Sequence, residues 1–267
     1  MPRPIAELAE GILRSLDMWK VPVNPLDIAC QEGILLKEGS YSDGFDARIE
    51  YYADHHVFCI FYAQSAGWRT EGRVRFTLSH ELGHYFIEEH RQRLLTGKVH
   101  DSVSDFRSCD PVEIQADEFA ADLLMPMPLF RAELERFRSG FCTLDDLSTL
   151  ATHLGTSLTS VGRRYCESDR EPCTILFSDS GLIRWSHSSE DMKRKSLYFY
   201  PYNNAPPRGS KTAALWEMIH NGTATGKIEG SVAANVWFDM PRARYLWEEA
   251  RPLVNTGRVI TQLTIES

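Results

Sequence analysis

The pentapeptide His80-Glu81-Leu82-Gly83-His84 constrains this chain more than any other feature. Residues four apart on an α-helix share a face, so a helix here aims both imidazoles at one point, with Glu81 beside them. The flanks suit a helix. Phe76, Leu78, Leu82 and Phe86 recur with helical spacing, and no Pro interrupts the run from Val74 to about Arg93. Two His one turn apart around a Glu form the ligand pair of a helical zinc site, in which the Glu takes a proton from an attacking water and passes it to a leaving amine. The chain holds 9 His and 21 Glu, and chance alone produces such a pattern in about 2 % of chains of this composition. Five residues therefore leave a second reading open, a pair of partly buried histidines with an incidental acid.

A catalytic zinc takes three protein ligands and keeps one position open. The best third ligand is Glu113, separated from His84 by 28 residues. That is room for the first helix to end, a loop (95–110) to turn and a second helix (111–124) to return alongside. Asp117 stands one turn after Glu113, where it can accept the outer N–H of a ligand His and fix its tautomer. Glu113 on its own also reads as a solvated acid in a first helical turn, where acids are favoured. Glu118 and Asp122 fall off the Glu113–Asp117 face and read as solvated.

Taken together, RFTLSHELGH (75–84) and EIQADEFAADLLMP (113–126) resemble the ImmA/IrrE metallopeptidases, which show R-F-T-x-x-H-E-L-G-H followed by E-x-x-A-[DN]-x-F-A-A-x-L-L-M-P. The resemblance covers about residues 5–140. It implies His80, His84 and Glu113 as metal ligands, one Zn²⁺ per chain and Glu81 as catalytic base. It also implies a small gluzincin-like peptidase fold, with an edge strand beside the cleft that holds substrate by main-chain pairing. The layout beyond is similar to the IrrE branch: a helix-turn-helix-like segment over 141–168 and a GAF-like domain over 169–267. Members of that branch cleave a helix-turn-helix repressor and so switch on stress-response or mobile-element genes.

The remaining sequence sets bounds. At 267 residues with 43 % hydrophobic and 25 % charged side chains, the chain can bury a full core unaided. Its longest uncharged stretch, 147–162, is rich in Thr, Ser and Gly, and the next, 55–68, is too short to span a bilayer. The first residues carry two Glu where a secretory signal would be apolar, so a cytoplasmic protein is expected. Cysteines at 30, 59, 109, 142, 166 and 173 form no C-x-x-C pair and read as mostly buried free thiols. Residues 1–168 hold 17 Lys+Arg against 26 Asp+Glu, and residues 169–267 hold 12 against 11. A balance of −9 in front and +1 behind argues against a protein built to wrap nucleic acid. Within 141–168 the second helix offers Arg163 and Arg164, while Asp145, Asp146 and Glu167 leave the segment at −1. Packing is the favoured role of this segment, and DNA binding the weaker one.

The fold class is therefore α+β. Helices are expected over 4–19, 25–31, 74–93, 111–124, 128–137 and 211–220, with two more around Gly155. Strands are expected over 34–37, 47–52, 56–63, 227–238 and 258–265, with a strand-like stretch over 173–203 and turns at 180–181, 203–204 and 255–257. The expected function is a zinc-dependent endopeptidase acting on a regulatory protein. The competing class is a non-proteolytic regulator that binds DNA or a partner through 141–267. The C-terminal part has no visible chemistry and is a small-molecule sensor or a docking surface. His90, His100, His153, His187, His220, Tyr85 and Tyr202 are all candidates to hydrogen-bond the tetrahedral intermediate, and the sequence does not choose among them. His55 and His56 read as surface residues.

Overall fold

The computed structural model describes residues 4–39, 46–63, 70–97, 110–137, 141–195, 202–224, 226–239, 241–253 and 257–265. Two compact units divide the chain. The first comprises 1–134 with 151–157, the second 135–150 with 158–267. Helices and two separate sheets make it a mixed α+β protein. Among the described residues no helix is long and apolar enough to cross a membrane.

In the first unit, α1 (Pro4–Ser15) and α2 (Pro25–Gln31) precede β1 (Leu35–Gly39), β2 (Ala47–Tyr52) and β3 (Val57–Ala63). The central strand is β3, parallel to β1 and antiparallel to β2. Then come α3 (Glu71–Phe86), α4 (Glu88–Leu95), α5 (Pro111–Leu124) and α6 (Met127–Leu134). Leu13, Ile28, Ile49, Ile60, Leu82, Phe119 and Leu123 join α1, α2, the sheet, α3 and α5 in one buried cluster. Two expectations need correction. The first helix stops at Ser15, and Asp17 takes a left-handed φ of 56° just beyond it. The single helix expected over 74–93 is two helices, because Ile87 adopts an extended conformation (φ −75°, ψ 113°) between them. The expected loop after residue 95 falls largely outside the described residues, as do Cys109 and His100.

In the second unit lie most of α7 (Leu144–Leu154) and all of α8 (Leu158–Ser168), then β4 (Cys173–Asp179), β5 (Leu182–Ser188), α9 (Glu190–Lys195), α10 (Lys211–His220), β6 (Ile228–Ala233), β7 (Tyr245–Leu253) and β8 (Arg258–Ile265). The strands form an antiparallel sheet in the order β5-β4-β8-β7-β6. One face presents Leu176, Leu246 and Leu263 to Met192, Trp237 and Phe238, and its other end presents Ala250 and Val259 to Leu215 and Trp216 of α10. On the opposite face a Cβ at Gly162 of α8 would meet the Ile175 side chain at 3.1 Å, so glycine lets that helix lie close on β4. As the favoured packing role requires, α8 has Val161, Tyr165 and Cys166 buried, and Arg164, 3 % exposed, bonds Glu167 at 2.9 Å.

Here too the sequence reading needs correction. The stretch 173–203 contains α9 after its hairpin, and the strand expected over 227–238 ends at Ala233, where a 3₁₀ turn (Ala234–Val236) begins. β7 was not expected at all. The turn expected at 255–257 falls largely outside the described residues. Four of the five described cysteines, Cys59, Cys142, Cys166 and Cys173, are buried free thiols, and Cys30 is exposed.

Candidate metal centre

Two helices build the centre. Thr70 caps α3, its hydroxyl accepting from the Arg73 N–H, and Asp110 caps α5 by accepting from the Val112 N–H, with Pro111 at the first helical position. The helices meet at Gly83. A Cβ there would stand 3.2 Å from the Ala116 Cα and 3.2 Å from the Phe119 ring. The glycine inside the pentapeptide thus lets α5 come close enough to α3 for Glu113 to reach the histidines.

His80 Nε2 and His84 Nε2 lie 3.1 Å apart. Each faces one oxygen of Glu113, Oε2 and Oε1 respectively, at 3.2 Å. Asp117 Oδ1 lies 2.8 Å from His80 Nδ1. An ionised Asp117 can only accept, so Nδ1 carries the ring proton and the Nε2 lone pair points inward. His80, His84 and Glu113 thus converge with their ligand atoms all within 4.8 Å of one another. Electron-rich atoms this close need positive charge among them. In the metal-free protein a proton on His80 supplies it: burial opposes that proton, but Asp117, Glu113 and Glu81 outweigh burial and raise the His80 pKa to about 10. Burial likewise pushes Glu113 up, and the two imidazoles more than reverse this, holding it well below the usual carboxylate range. Two imidazoles and a carboxylate fit a divalent cation, so this set could hold a metal ion.

Glu81, 0 % exposed, lies close enough to raise the His80 pKa. Of the other acids of α5, Glu118 is half-buried, and Asp122 is buried rather than solvated as expected. Of the described candidate hydrogen-bond donors, three lie in the first unit with the centre. Tyr85 turns away to donate to Glu32 at 3.1 Å, and His153 faces Glu133 at 3.2 Å. His187 and Tyr202 belong to the second unit, as does the exposed His220. His90 stands beside the centre: it is buried, its ring centroid is 5.1 Å from that of His84, and its Nε2 bonds Gln115 of α5 at 3.0 Å. Burial is the chief cause lowering its pKa, which favours a neutral ring. Sequence gave no reason to single out His90, because the break at Ile87 that turns it inward has no Gly or Pro to announce it. As expected, His55 and His56 occupy an exposed turn.

The comparisons agree with this geometry. Residues 45–165 match the family model Peptidase_M78, described as the IrrE N-terminal-like domain. A solved structure, that of a Mycobacterium tuberculosis transcriptional regulator, superimposes with a TM-score of 0.58 at 15 % identity, covering 99 % of this chain and 77 % of that one. At that identity the likeness concerns the fold. No curated protein matches the sequence. Over residues 45–165, where the paired histidines and the acidic helix lie, the chain is similar to the IrrE N-terminal-like domain of the ImmA/IrrE family.

Proposed function

We propose that this protein is a zinc-dependent endopeptidase that cleaves one regulatory protein in the cytoplasm. The observation that carries the reading is the convergence of His80, His84 and Glu113 with Glu81 buried next to them. A gluzincin-like set of His80, His84 and Glu113 would hold the zinc. Zinc held there supplies Lewis-acid polarisation of the scissile carbonyl and acidification of water. The protein's own groups do the rest. Asp117 holds the His80 proton on Nδ1 and keeps Nε2 a ligand. Glu81 takes the proton of the attacking water and delivers it to the leaving amine. No side chain forms a covalent intermediate.

The substrate we propose is a helix-turn-helix repressor, whose loss derepresses stress-response or mobile-element genes. A regulatory setting is supported by the fold neighbour, itself described as a transcriptional regulator. The second unit, in this reading a GAF-like domain, docks the substrate or binds a small effector. Duplex reading by α8 is disfavoured, since most of its face is buried. The test is to incubate zinc-loaded protein with the repressor encoded nearest its gene and resolve the products by mass spectrometry. Two fragments, absent with Glu81→Gln, are expected. An intact repressor, with the protein bound instead to DNA, would favour the non-proteolytic class.

A further inference from the structure

A cleft of about 200 Å³ lies in the first unit where the end of α2, the β2–β3 turn and α4 meet. It is separate from the metal centre. Tyr85 follows His84 in α3 and therefore projects about 100° further round the helix, packing edge-to-face on Phe58 of β3 at 5.0 Å. One cation and one acid line the cleft without satisfying each other. The Arg91 guanidinium lies over the Tyr85 and Phe58 rings, 4.6 and 5.5 Å from their centroids, and makes no ion pair among the described residues. Glu32 accepts a hydrogen bond from the Tyr85 hydroxyl at 3.1 Å and keeps its other oxygen available. The rest of the lining mixes aromatic and aliphatic groups with polar ones, His56 among them, its Nδ1 3.0 Å from the Tyr51 hydroxyl. Tyr51 and Phe58 pack at 4.8 Å, and Leu95 is 38 % exposed.

We propose that this cleft binds a free α-amino acid with an apolar or aromatic side chain. Its carboxylate pairs with Arg91, its ammonium with Glu32, and its side chain lies along Tyr51, Phe58 and Leu95. A guanidinium fork matches a carboxylate, and opposite charges on one wall select a zwitterion, because a singly charged molecule leaves one of them unmatched. The size agrees: the volume is below the roughly 300–1,000 Å³ of drug-sized sites and several times the ~30 Å³ share of one water.

Isothermal titration calorimetry of the full chain with L-phenylalanine and L-leucine tests this, each against its N-acetyl and its amide form. At least one free amino acid should bind. Its two capped forms, which each lack one charge, should bind about tenfold more weakly or worse, the loss of one charge-assisted hydrogen bond. Arg91→Met keeps the aliphatic stem and Glu32→Gln still accepts from Tyr85. Each should weaken binding by a similar factor while melting temperature and zinc content stay unchanged. Absence of binding by both amino acids at about 10 mM, well within reach of a site with several polar contacts, would overturn the proposal. Equal binding of the capped forms, or full binding by both variants, would do the same. None of these readouts depends on peptidase activity.

Discussion

Glu113 in the first unit and Glu248 in the second are both buried acids that meet a helical first turn, yet their surroundings have opposite chemistry. Glu113 faces two imidazole nitrogens that can give up their protons to a metal. Glu248, 0 % exposed, faces donors that cannot: the Thr212 N–H and hydroxyl, each at 2.7 Å, and the Trp237 indole N–H at 3.0 Å. The first arrangement is a set of groups that could hold a metal ion. The second is complete, and its product is the attachment of α10 and the 3₁₀ turn to β7. Burial of an acid does not by itself mark chemistry; the exchangeability of its partners does.

The contrast can be broken most sharply at Glu81. Glu81→Gln should keep its zinc and lose peptide hydrolysis by about 10²–10⁴-fold or more, read as turnover of the cleaved protein. Normal turnover would remove Glu81 from the chemistry. Next in size, Asp117→Asn should weaken zinc binding by about 10–100-fold in a chelator competition, the usual cost of losing a ligand's orienting partner. Glu113→Ala should weaken it further, and Glu118→Ala should leave it unchanged. Glu248→Ala tests the other side. It strands buried donors and should destabilise the second unit by about 2–5 kcal/mol in urea unfolding, while the folded fraction retains full zinc content. A loss of zinc with no loss of stability would reverse the two roles.

A last effect concerns pH. Glu171 accepts from the Tyr165 hydroxyl, and burial is the main cause that raises its pKa to about 7. The folded state therefore holds a proton that the unfolded chain releases near the ordinary glutamate value of 4.3. Stability falls as pH rises from that value to about 7 and is flat above. Unfolding midpoints measured from pH 4 to 8 should show this slope, and Glu171→Gln should flatten it.

How legible each region was follows from the same contrast. Metal chemistry permits few residue types at few spacings, so the grouping of His80, His84 and Glu113 was legible once the second motif was set beside the first. Strands β2, β8 and helix α5 were legible because their patterns obey local propensity. β7 was not. Tyr-Leu-Trp-Glu-Glu-Ala-Arg-Pro-Leu places two acids at its middle, where burial in a central strand looks forbidden, and only the tertiary donors make it permissible. Asp122 was misread for the same reason, since polarity was taken for exposure. The break at Ile87 and the inward turn of His90 are set by packing around α3 and α5, which no local pattern records.

Adjacent acids on β7 also bear on how its neighbours are aligned. Glu248 and Glu249 point to opposite faces, both 0 % exposed. Glu249 takes the Leu144 N–H at 3.0 Å and the Lys227 ammonium at 2.9 Å. Shift β7 by one position toward either end and one of the two sockets receives Ala250 or Trp247 instead of a carboxylate. The Leu144 N–H in one socket, or the Thr212 and Trp237 donors in the other, would then go unmatched, at roughly 1–3 kcal/mol for each. Only one alignment fills both sockets. The doublet that weakens β7 as a strand therefore acts as a two-toothed key, and misaligned sheets are rejected during folding because neither tooth alone can turn the lock.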